Sequence, residues 1–412
     1  MSLQGPILLV ADTTNGELVQ AFAAAGAFPV VEATWPEAFK AAVSINPSVI
    51  VAAPPSDAEA EAAQALAQHA AASKPLTPLV VRGGGQTLDG SLAVPEAASP
   101  DRLIARVTSA LRVRTLHATV IGRAATLKTE RNIVAEMPDG DPLDTATTLV
   151  VGRGPAYPAL SVAVGERMGV IGALNLDFAA GCLAAREVDG VIVGDGLPWR
   201  AVEAFLETLA ADRRFRELPV AVLGADGDVP GLPHLVCARE PRALLDCAIP
   251  LIRLRALESS LKRLLQSIES KGMLDPQTGL FHPNAFGEAL NLSIADAAER
   301  GSTLSLARFS FDEPLDRRTG MDASRLVSRL VRDVDFACRD EDGSILFVFA
   351  DTDLRAAHVA ARRLASVLKH TMLRPGRDRP PLTPSVTLAT LKPSDTALTL
   401  LTRVTPRPVA AA

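Results

Sequence analysis

The sequence is poor in aromatic side chains and cysteine, and it has no long apolar run. Aromatic residues make up 4% of the 412 residues, and Tyr157 is the only tyrosine. The four cysteines form no Cys-x-x-Cys pair, which excludes a disulfide framework and a cysteine zinc site and fits a reducing cytoplasm. No apolar run approaches the roughly 18 residues of a membrane-spanning helix, and no secretory signal opens the chain. We therefore expect a cytoplasmic protein without membrane insertion.

The net charge and the motifs of the sequence exclude further classes of protein function. The net charge of −5 argues against a chain-wide nucleic-acid-binding surface. The six histidines have no metal-ligand spacing, and no motif of a serine or cysteine nucleophile is present. The apolar content of 48% and the length favour a globular protein of two to four domains. We expect no metal, no cofactor and no direct contact with nucleic acid.

A repeated alternation of short apolar strands and amphipathic helices is present. Residues 48–53, for example, form a continuous apolar run that is typical of a strand buried on both faces. The alternation over residues 1–114 predicts a doubly wound, five-stranded α/β domain. A linker, 115–147, follows and is interpreted as an extension of the last helix and a loop. The same alternation over residues 148–250 predicts a second domain of the same kind.

A heptad-like helix is predicted between the second domain and a third one. Its apolar residues follow a 3-4-3-4 spacing over about two heptads, within segment 251–271. A dimerising stalk and an amphipathic linker helix explain this spacing equally well. A third α/β unit is predicted over 272–405, and the tail 406–412 is expected to be disordered. The spaced residues are Leu254, Leu257, Leu261, Leu264 and Ile268.

Sequence motifs of the third unit resemble a known family. The run from Asp275 to Leu280, Asp-Pro-Gln-Thr-Gly-Leu, is similar to the start of the GGDEF domain, the diguanylate cyclase fold. Arg332-x-x-Asp335 and a strand ending in Asp351-Thr follow with the order and spacing of that family. With two receiver-like domains in front, the chain resembles PleD-type two-receiver response regulators. The resemblance implies receiver-like domains, a GGDEF-type α/β domain with a central mixed sheet, a homodimer and a role in cyclic di-GMP signalling.

The same resemblance implies a degenerate GTP site. Where an active cyclase carries Gly-Gly-(Asp/Glu)-Glu, the carboxylates of this chain would repel a triphosphate, and the acidic pair is replaced by glycine and serine. A serine also replaces a metal-ligating aspartate of the first strand. The loop that follows is shorter, and the family's last helix is absent. Divalent cations prefer charged oxygens, so we expect no cyclase activity. The degenerate positions are Ser310, Glu341, Asp342, Gly343 and Ser344.

The family's site for its product, cyclic di-GMP, is matched by Arg332, Asp335 and Arg363. A guanidinium group can pair bidentately with phosphate and stack on guanine, and a carboxylate can accept hydrogen bonds from guanine. These residues therefore predict cyclic di-GMP binding without a metal. A second Arg-x-x-Asp, from Arg339 to Asp342, lies outside the family's register. The alternative for the predicted site is an ordinary surface salt bridge at a helix end.

The receiver-like domains lack the residues for phosphotransfer. Ala53 and Gly194 stand at the positions of the phosphoacceptor aspartate, and Asp195 is a displaced candidate in the second domain. Without an acidic pair for magnesium, Asp195 is better interpreted as a turn residue before Gly196. We expect pseudo-receivers that serve dimerisation or the docking of protein partners.

Three functions follow from these observations. The first is a cyclic di-GMP receptor without catalysis, and the second is a protein–protein scaffold without a nucleotide ligand. The third is a diguanylate cyclase with an atypical site that uses Asp312, Glu341 and Asp342. Convergence of the predicted Arg-Asp-Arg triad on one open surface favours the first, whereas burial or divergence of these side chains favours the second.

Overall fold

The computed structural model describes residues 4–12, 16–83, 88, 90–96, 98–131, 137–138, 140–224, 229, 231–370 and 382–405. The predicted tail 406–412 and part of the predicted linker lie outside these ranges. Among the described helices, none combines the length and apolar character needed to cross a membrane. Two compact units account for the chain, the first containing two parallel sheets and the second a four-stranded sheet.

The first sheet has five parallel strands in the order β2-β1-β3-β4-β5. Alternate side chains of its central strands belong to two different core clusters, so both faces are covered. The fifth strand has three residues and was not located from the sequence. The strands are β1 Gln4–Val10, β2 Phe28–Ala33, β3 Val49–Ala52, β4 Leu79–Arg82 and β5 Leu92–Val94, and the helices are α1 Gly16–Ala24, α2 Trp35–Ile45, α3 Ala60–Ala72 and α4 Pro100–Arg131.

The second sheet repeats this topology, with five parallel strands in the order β7-β6-β8-β9-β10. Its strands Thr147–Val151 and Gly190–Val193 are buried along their whole length. The second of them has no polar side chain, as a strand covered on both faces requires, whereas the first begins with two buried threonines. The strands are β6 Thr147–Val151, β7 Gly169–Ala173, β8 Gly190–Val193, β9 Val220–Leu223 and β10 Leu235–Ala238, and the helices are α5 Ala156–Gly165, α6 Leu176–Ala185, α7 Trp199–Ala211 and α8 Pro241–Glu269.

Two long helices cross the domain boundaries predicted from the sequence. Helix α4 continues past residue 114 to Arg131, and α8 runs without a break through the boundary predicted at 250/251. Within the single chain, Leu261 and Leu264 are buried, as is Ile268. These three residues are therefore not available to a coiled-coil seam, whereas Leu254 and Leu257 are half-buried. This burial favours the interpretation as an amphipathic linker helix.

The two parallel sheets share one hydrophobic core, and α4 connects them. The fully buried Arg106 of α4 donates hydrogen bonds to the carbonyl of Ala93 in β5, to that of Leu235 in β10 (3.4 Å) and to that of Pro233 just before β10 (3.2 Å). A buried guanidinium needs such partners, because an unpaired polar group in the core is costly. The arginine thus fixes the second sheet against the first.

A polar network continues along α4 around His234, whose ring is buried. His234 Nε2 lies 3.0 Å from Ser109 Oγ and 3.3 Å from the Glu217 carboxylate, which Arg112 also contacts at 3.0 Å. Burial lowers the pKa of His234 despite the Glu217 partner, so the imidazole is neutral. Burial alone would raise the pKa of Glu217. Hydrogen bonds from His234, Arg112 and Ser109 have the larger effect, so the pKa of Glu217 is lowered.

Unfolding stability is expected to fall as the pH drops below about 6.5, the ordinary pKa of histidine. The unfolded chain then binds a proton that the native His234 does not, which costs up to about 1.4 kcal/mol per pH unit until the native pKa is reached. Denaturant unfolding between pH 8 and pH 5 measures this slope, and His234→Gln should reduce it. Burial also lowers the pKa of His117, so some slope remains. The exposed His358→Gln is the control, and equal slopes in both variants would contradict the assignment.

The third sheet has the order β12-β13-β11-β14, and all its strand pairs are antiparallel. The expectation of a central mixed sheet is therefore wrong. Each crossover helix returns the chain two strand positions away, and a strand of opposite direction fills the gap, as in a split βαβ fold. The strands are β11 Leu304–Phe311, β12 Phe336–Arg339, β13 Ile345–Ala350 and β14 Pro384–Thr390, and the helices are α9 Pro283–Arg300, α10 Arg317–Ser328, α11 Leu354–His370 and α12 Ala397–Val404.

Helices cover both faces of the third sheet. One face packs against α10 and α11, and the other against α9 and α12. The eight-residue α12 corrects the expectation that a last helix is absent. The motif that begins at Asp275 forms a closed turn in which Thr278 Oγ1 donates to the aspartate (2.6 Å). Phe281 N–H then donates to Ala337 O (2.8 Å), which docks this turn on β12.

Candidate functional site

A surface groove of about 380 Å³ lies between the α10–β12 turn and one face of α11. We call it the arginine groove. Its α11 residues follow a helical spacing, so they form one stripe along the helix. Arg332 faces this stripe from the turn. The groove is lined by Arg332, Asp353, Arg355, Ala356, Val359, Ala360 and Arg363.

The arginine groove is cationic. The side chains of Arg332, Arg355 and Arg363 are exposed, and in the described part of the chain no carboxylate lies within ion-pair distance of any of them. Asp353 is the only acidic lining residue, and its carboxylate accepts the Ala356 N–H (2.7 Å) at the start of α11. Three exposed guanidinium groups around one groove suit an anionic ligand.

Asp335 does not line the arginine groove. It is buried, and its Oδ1 accepts the N–H of Ala350 (3.0 Å) at the end of β13. Burial raises the pKa of Asp335, although this hydrogen bond and the charge of Arg332 oppose the shift. Of the predicted triad, the structure thus brings Arg332 and Arg363 together and gives Asp335 a structural contact. Arg355 was not predicted. It lies eight residues before Arg363 on the same helix, and this spacing indicates that both side chains lie on one face of the helix.

The positions that the sequence predicts to be degenerate lie in and beside the β12–β13 hairpin. Asp340 N–H donates to Ser344 O (2.9 Å), and Gly343 N–H donates to Asp340 O (3.0 Å), which closes a tight turn. Gly343 has φ of +83°, a conformation that favours glycine. Glu341 is exposed at the tip. The glycine here serves the turn, where an active cyclase of the resembled family would hold an acidic residue.

Arg308 of β11 occupies the place beside this hairpin, and sequence reasoning missed it. Its side chain is 7% exposed, and its guanidinium contacts the carboxylates of Asp340 (3.0 Å) and Asp342. Burial opposes the charge of Asp342, but hydrogen bonds from Ser344 and Arg308 lower its pKa. A guanidinium thus lies where two carboxylates converge and supplies one positive charge between them.

The residues present do not fit the divalent metal of a cyclase. Arg308 already occupies the place between the Asp340 and Asp342 carboxylates, and Ser310, two residues further along β11, offers no charged oxygen. In the described part of the chain, no group of three His, Cys, Asp or Glu side chains is arranged to hold a metal. Asp312 is exposed and belongs to no such group.

The predicted phosphoacceptor positions lie at the carboxyl edges of the parallel sheets. Ala53 follows β3, and Gly194 follows β8. The Asp195 carboxylate accepts the N–H of Ala156 at the start of α5 (3.2 and 3.3 Å), and a Cβ at Gly154 would collide with it. Asp195 therefore stabilises a loop and a helix start, in agreement with its interpretation as a turn residue.

No protein-family model and no curated protein matches the chain. Among solved structures, it is similar to the GGDEF domain of DgcB from Caulobacter crescentus in complex with c-di-GMP (20% identity, 32% of this chain and 82% of that chain, TM-score 0.29). It is also similar to the FimX GGDEF domain from Pseudomonas aeruginosa (18% identity, 32% of this chain and 88% of that chain, TM-score 0.29). A putative two-component system response regulator/GGDEF domain protein matches at 13% identity over 65% of this chain and 100% of that chain, with a TM-score of 0.24.

Proposed function

We propose that this chain is a non-catalytic GGDEF-type protein that binds cyclic di-GMP in the arginine groove. A protein partner would dock on the two N-terminal α/β domains and respond to the bound state. The observation that carries the proposal is that Arg332 and Arg363, selected from the sequence, line one open groove, and that no described carboxylate lies within ion-pair distance of either.

The shape and charge of the arginine groove support this ligand class. Arg355 and Arg363 are eight residues apart on α11, which places them about 12 Å apart along the helix axis. This spacing suits a ligand with two separated phosphates better than a single phosphate. Between them, Val359 is 58% exposed and offers an apolar surface for a base. Asp353 takes the place of Asp335 as the carboxylate beside the ligand.

The contacts of Arg308 support the absence of catalysis. Attack of a 3′-hydroxyl on an α-phosphate requires divalent cations held by carboxylates. Here the hairpin carboxylates are paired with an internal cation, and Ser310, Gly343 and Ser344 supply no replacement. The hairpin is therefore a structural element in this proposal.

Isothermal titration of cyclic di-GMP into the full chain tests the receptor function. We expect cyclic di-GMP to bind in the micromolar range. GTP should bind more weakly, because its three phosphates form one chain and are not at two separated positions. No heat with folded protein at high micromolar concentration would overturn the proposal. That outcome would support the scaffold without a nucleotide ligand, which the structural contact of Asp335 favours.

Incubation with GTP and Mg²⁺ or Mn²⁺ is expected to yield no cyclic di-GMP. The physical reason is that no described group of carboxylates can hold the required cations. Chromatography of the nucleotides measures the product, with an active diguanylate cyclase as the positive control. Product that scales with protein concentration and disappears in Asp342→Asn would show the atypical cyclase instead.

A further inference from the structure

Among the described residues that line the arginine groove, only one side chain can accept a hydrogen bond. The three arginines only donate, and the two alanines and Val359 are apolar. Asp353 is the exception, because an ionised carboxylate only accepts. The side chains of the groove can therefore bind phosphate at several points, but they can recognise the donor groups of a ligand at Asp353 alone.

The carboxylate of Asp353 is held in place by the backbone of α11. Its Oδ1 accepts the N–H of Ala356 (2.7 Å), and Ala356 also lines the groove. The backbone oxygen of Asp353 accepts the N–H of Ala357 (2.8 Å), which fixes the first turn of the helix. Among the described residues, Oδ2 accepts no hydrogen bond. Asp353 therefore offers the groove a fixed carboxylate with one oxygen still available to a ligand.

Asp353 lies at one end of the stripe that α11 contributes to the groove. It directly precedes the helix, whereas Arg363 lies ten residues further on, about 15 Å along the helix axis. A hydrogen bond joins atoms about 3 Å apart, so Asp353 reaches only one base of a ligand that extends along this stripe. Towards Arg363, the described lining offers Val359, Ala360 and a guanidinium, and bases of either kind can stack on such surfaces.

Guanine and adenine differ in the groups that they offer to a carboxylate. The Watson–Crick edge of guanine carries two neighbouring donors, N1–H and the exocyclic amine. The corresponding edge of adenine carries the acceptor N1 beside its amine. A carboxylate oxygen next to adenine N1 would face another acceptor, and polar groups left unpaired in a binding site are costly. Asp353 therefore favours guanine at its end of the groove.

We propose that Asp353 makes the arginine groove selective for guanine at one of the two bases of a cyclic dinucleotide, and that the second base is bound without selectivity. This inference rests on the proposed function, the binding of a cyclic dinucleotide in this groove. Asp335 supplies no second guanine contact, because it is buried and accepts the N–H of Ala350. Asp353 thus determines specificity, whereas the arginines supply the affinity for phosphate.

Titration calorimetry of the full chain with three cyclic dinucleotides tests the proposal. They are cyclic di-GMP, cyclic di-AMP and the mixed molecule that contains one guanine and one adenine. The mixed molecule should bind only about twofold more weakly than cyclic di-GMP, because one of its two orientations places guanine at Asp353. Cyclic di-AMP should bind at least about tenfold more weakly, as expected for the loss of one specific base contact.

Asp353→Asn should change the affinities for cyclic di-GMP and cyclic di-AMP differently. Asparagine keeps the oxygen that accepts from Ala356 and caps a helix as well as aspartate does, so the fold should be retained. Its amide places a donor where Oδ2 was, so cyclic di-GMP should bind about tenfold more weakly. Cyclic di-AMP should bind as tightly as before or more tightly, because a negative charge leaves the groove. A merely structural role of Asp353 would weaken both ligands alike.

Asp333→Asn is the matched control. Asp333 is exposed on the α10–β12 turn next to Arg332, carries the same charge as Asp353 and does not line the groove. Its replacement removes one negative charge near the ligand without removing the proposed base contact. The ratio of the Kd values for cyclic di-AMP and cyclic di-GMP should therefore stay the same.

Three results would overturn this selectivity and leave the receptor function intact. The first is equal binding of cyclic di-GMP and cyclic di-AMP. The second is a mixed molecule that binds as weakly as cyclic di-AMP, which would mean that both bases are recognised. The third is an unchanged ratio of Kd values in Asp353→Asn. Absence of binding of all three dinucleotides to the folded chain would instead overturn the proposed function and this inference together.

Discussion

Arg363→Ala is expected to weaken cyclic di-GMP binding to the full chain roughly 10- to 100-fold, or about 1.4 to 2.8 kcal/mol. The arginine would make charge-assisted hydrogen bonds to phosphate, and alanine leaves that phosphate without a partner. Its exposed side chain makes no ion pair in the described part of the chain, so folding should not change. Titration calorimetry gives the affinity, and circular dichroism verifies the fold.

Arg362→Ala is the matched control for this prediction. Arg362 is the exposed neighbour on α11, carries the same charge and does not line the arginine groove. A similar loss in both variants would mean that general charge attraction, and not this groove, holds the ligand. Arg363→Lys should recover only part of the affinity, because an ammonium group keeps the charge but lacks the planar fork of donors.

The parallel sheets could be predicted because their strands are buried on both faces. Runs such as 48–53 and 190–193 are apolar throughout, and only a two-sided environment makes such runs favourable. The fifth strands could not be located in the same way. Leu92–Val94 has only three residues, too short for a periodicity to appear, and Leu235–Ala238 is an edge strand whose place depends on its pairing with β9.

The orientation of side chains around the candidate site was harder to predict than its location. Spacing along the chain identified Arg332 and Asp335, but a turn decides which way each side chain points. The carboxylate of Asp335 turns back to the N–H of Ala350 on the neighbouring strand, a contact that depends on strand pairing. A linear motif holds no information on that register.

The missed Arg308 has the same explanation. It is the only charged residue of Leu304–Phe311, an otherwise apolar or small-residue strand, and this was its sole signal. Its partner could not be read from the sequence, because it depends on the pairing of Arg308 with Leu346, near the turn that carries Asp342. Burial of an arginine is tolerated only with such partners, so the register and the ion pair support each other.

Arg308→Met is expected to destabilise the chain by about 2 kcal/mol. Removing one partner of a fully buried pair costs about 3–5 kcal/mol, but Asp340 and Asp342 are 33% and 56% exposed and can be hydrated, so we expect less. Denaturant unfolding measures the change. Arg300→Met, which breaks the exposed pair with Asp296, is the control and should cost less than about 0.5 kcal/mol.

A double-mutant cycle then separates the ion pair from lost packing. If Arg308 acts as the internal cation of the hairpin, Asp342→Asn should cost much less in the Arg308→Met background than in the native chain. Arg308→Met should also gain stability in millimolar Mn²⁺, since its removal leaves two carboxylates that converge, whereas the native chain should not respond. Additive effects of the two substitutions, or a native chain that is stabilised by Mn²⁺, would contradict this role. Neither variant should make cyclic di-GMP, because Ser310 and Gly343 still lack the oxygens that a second cation requires.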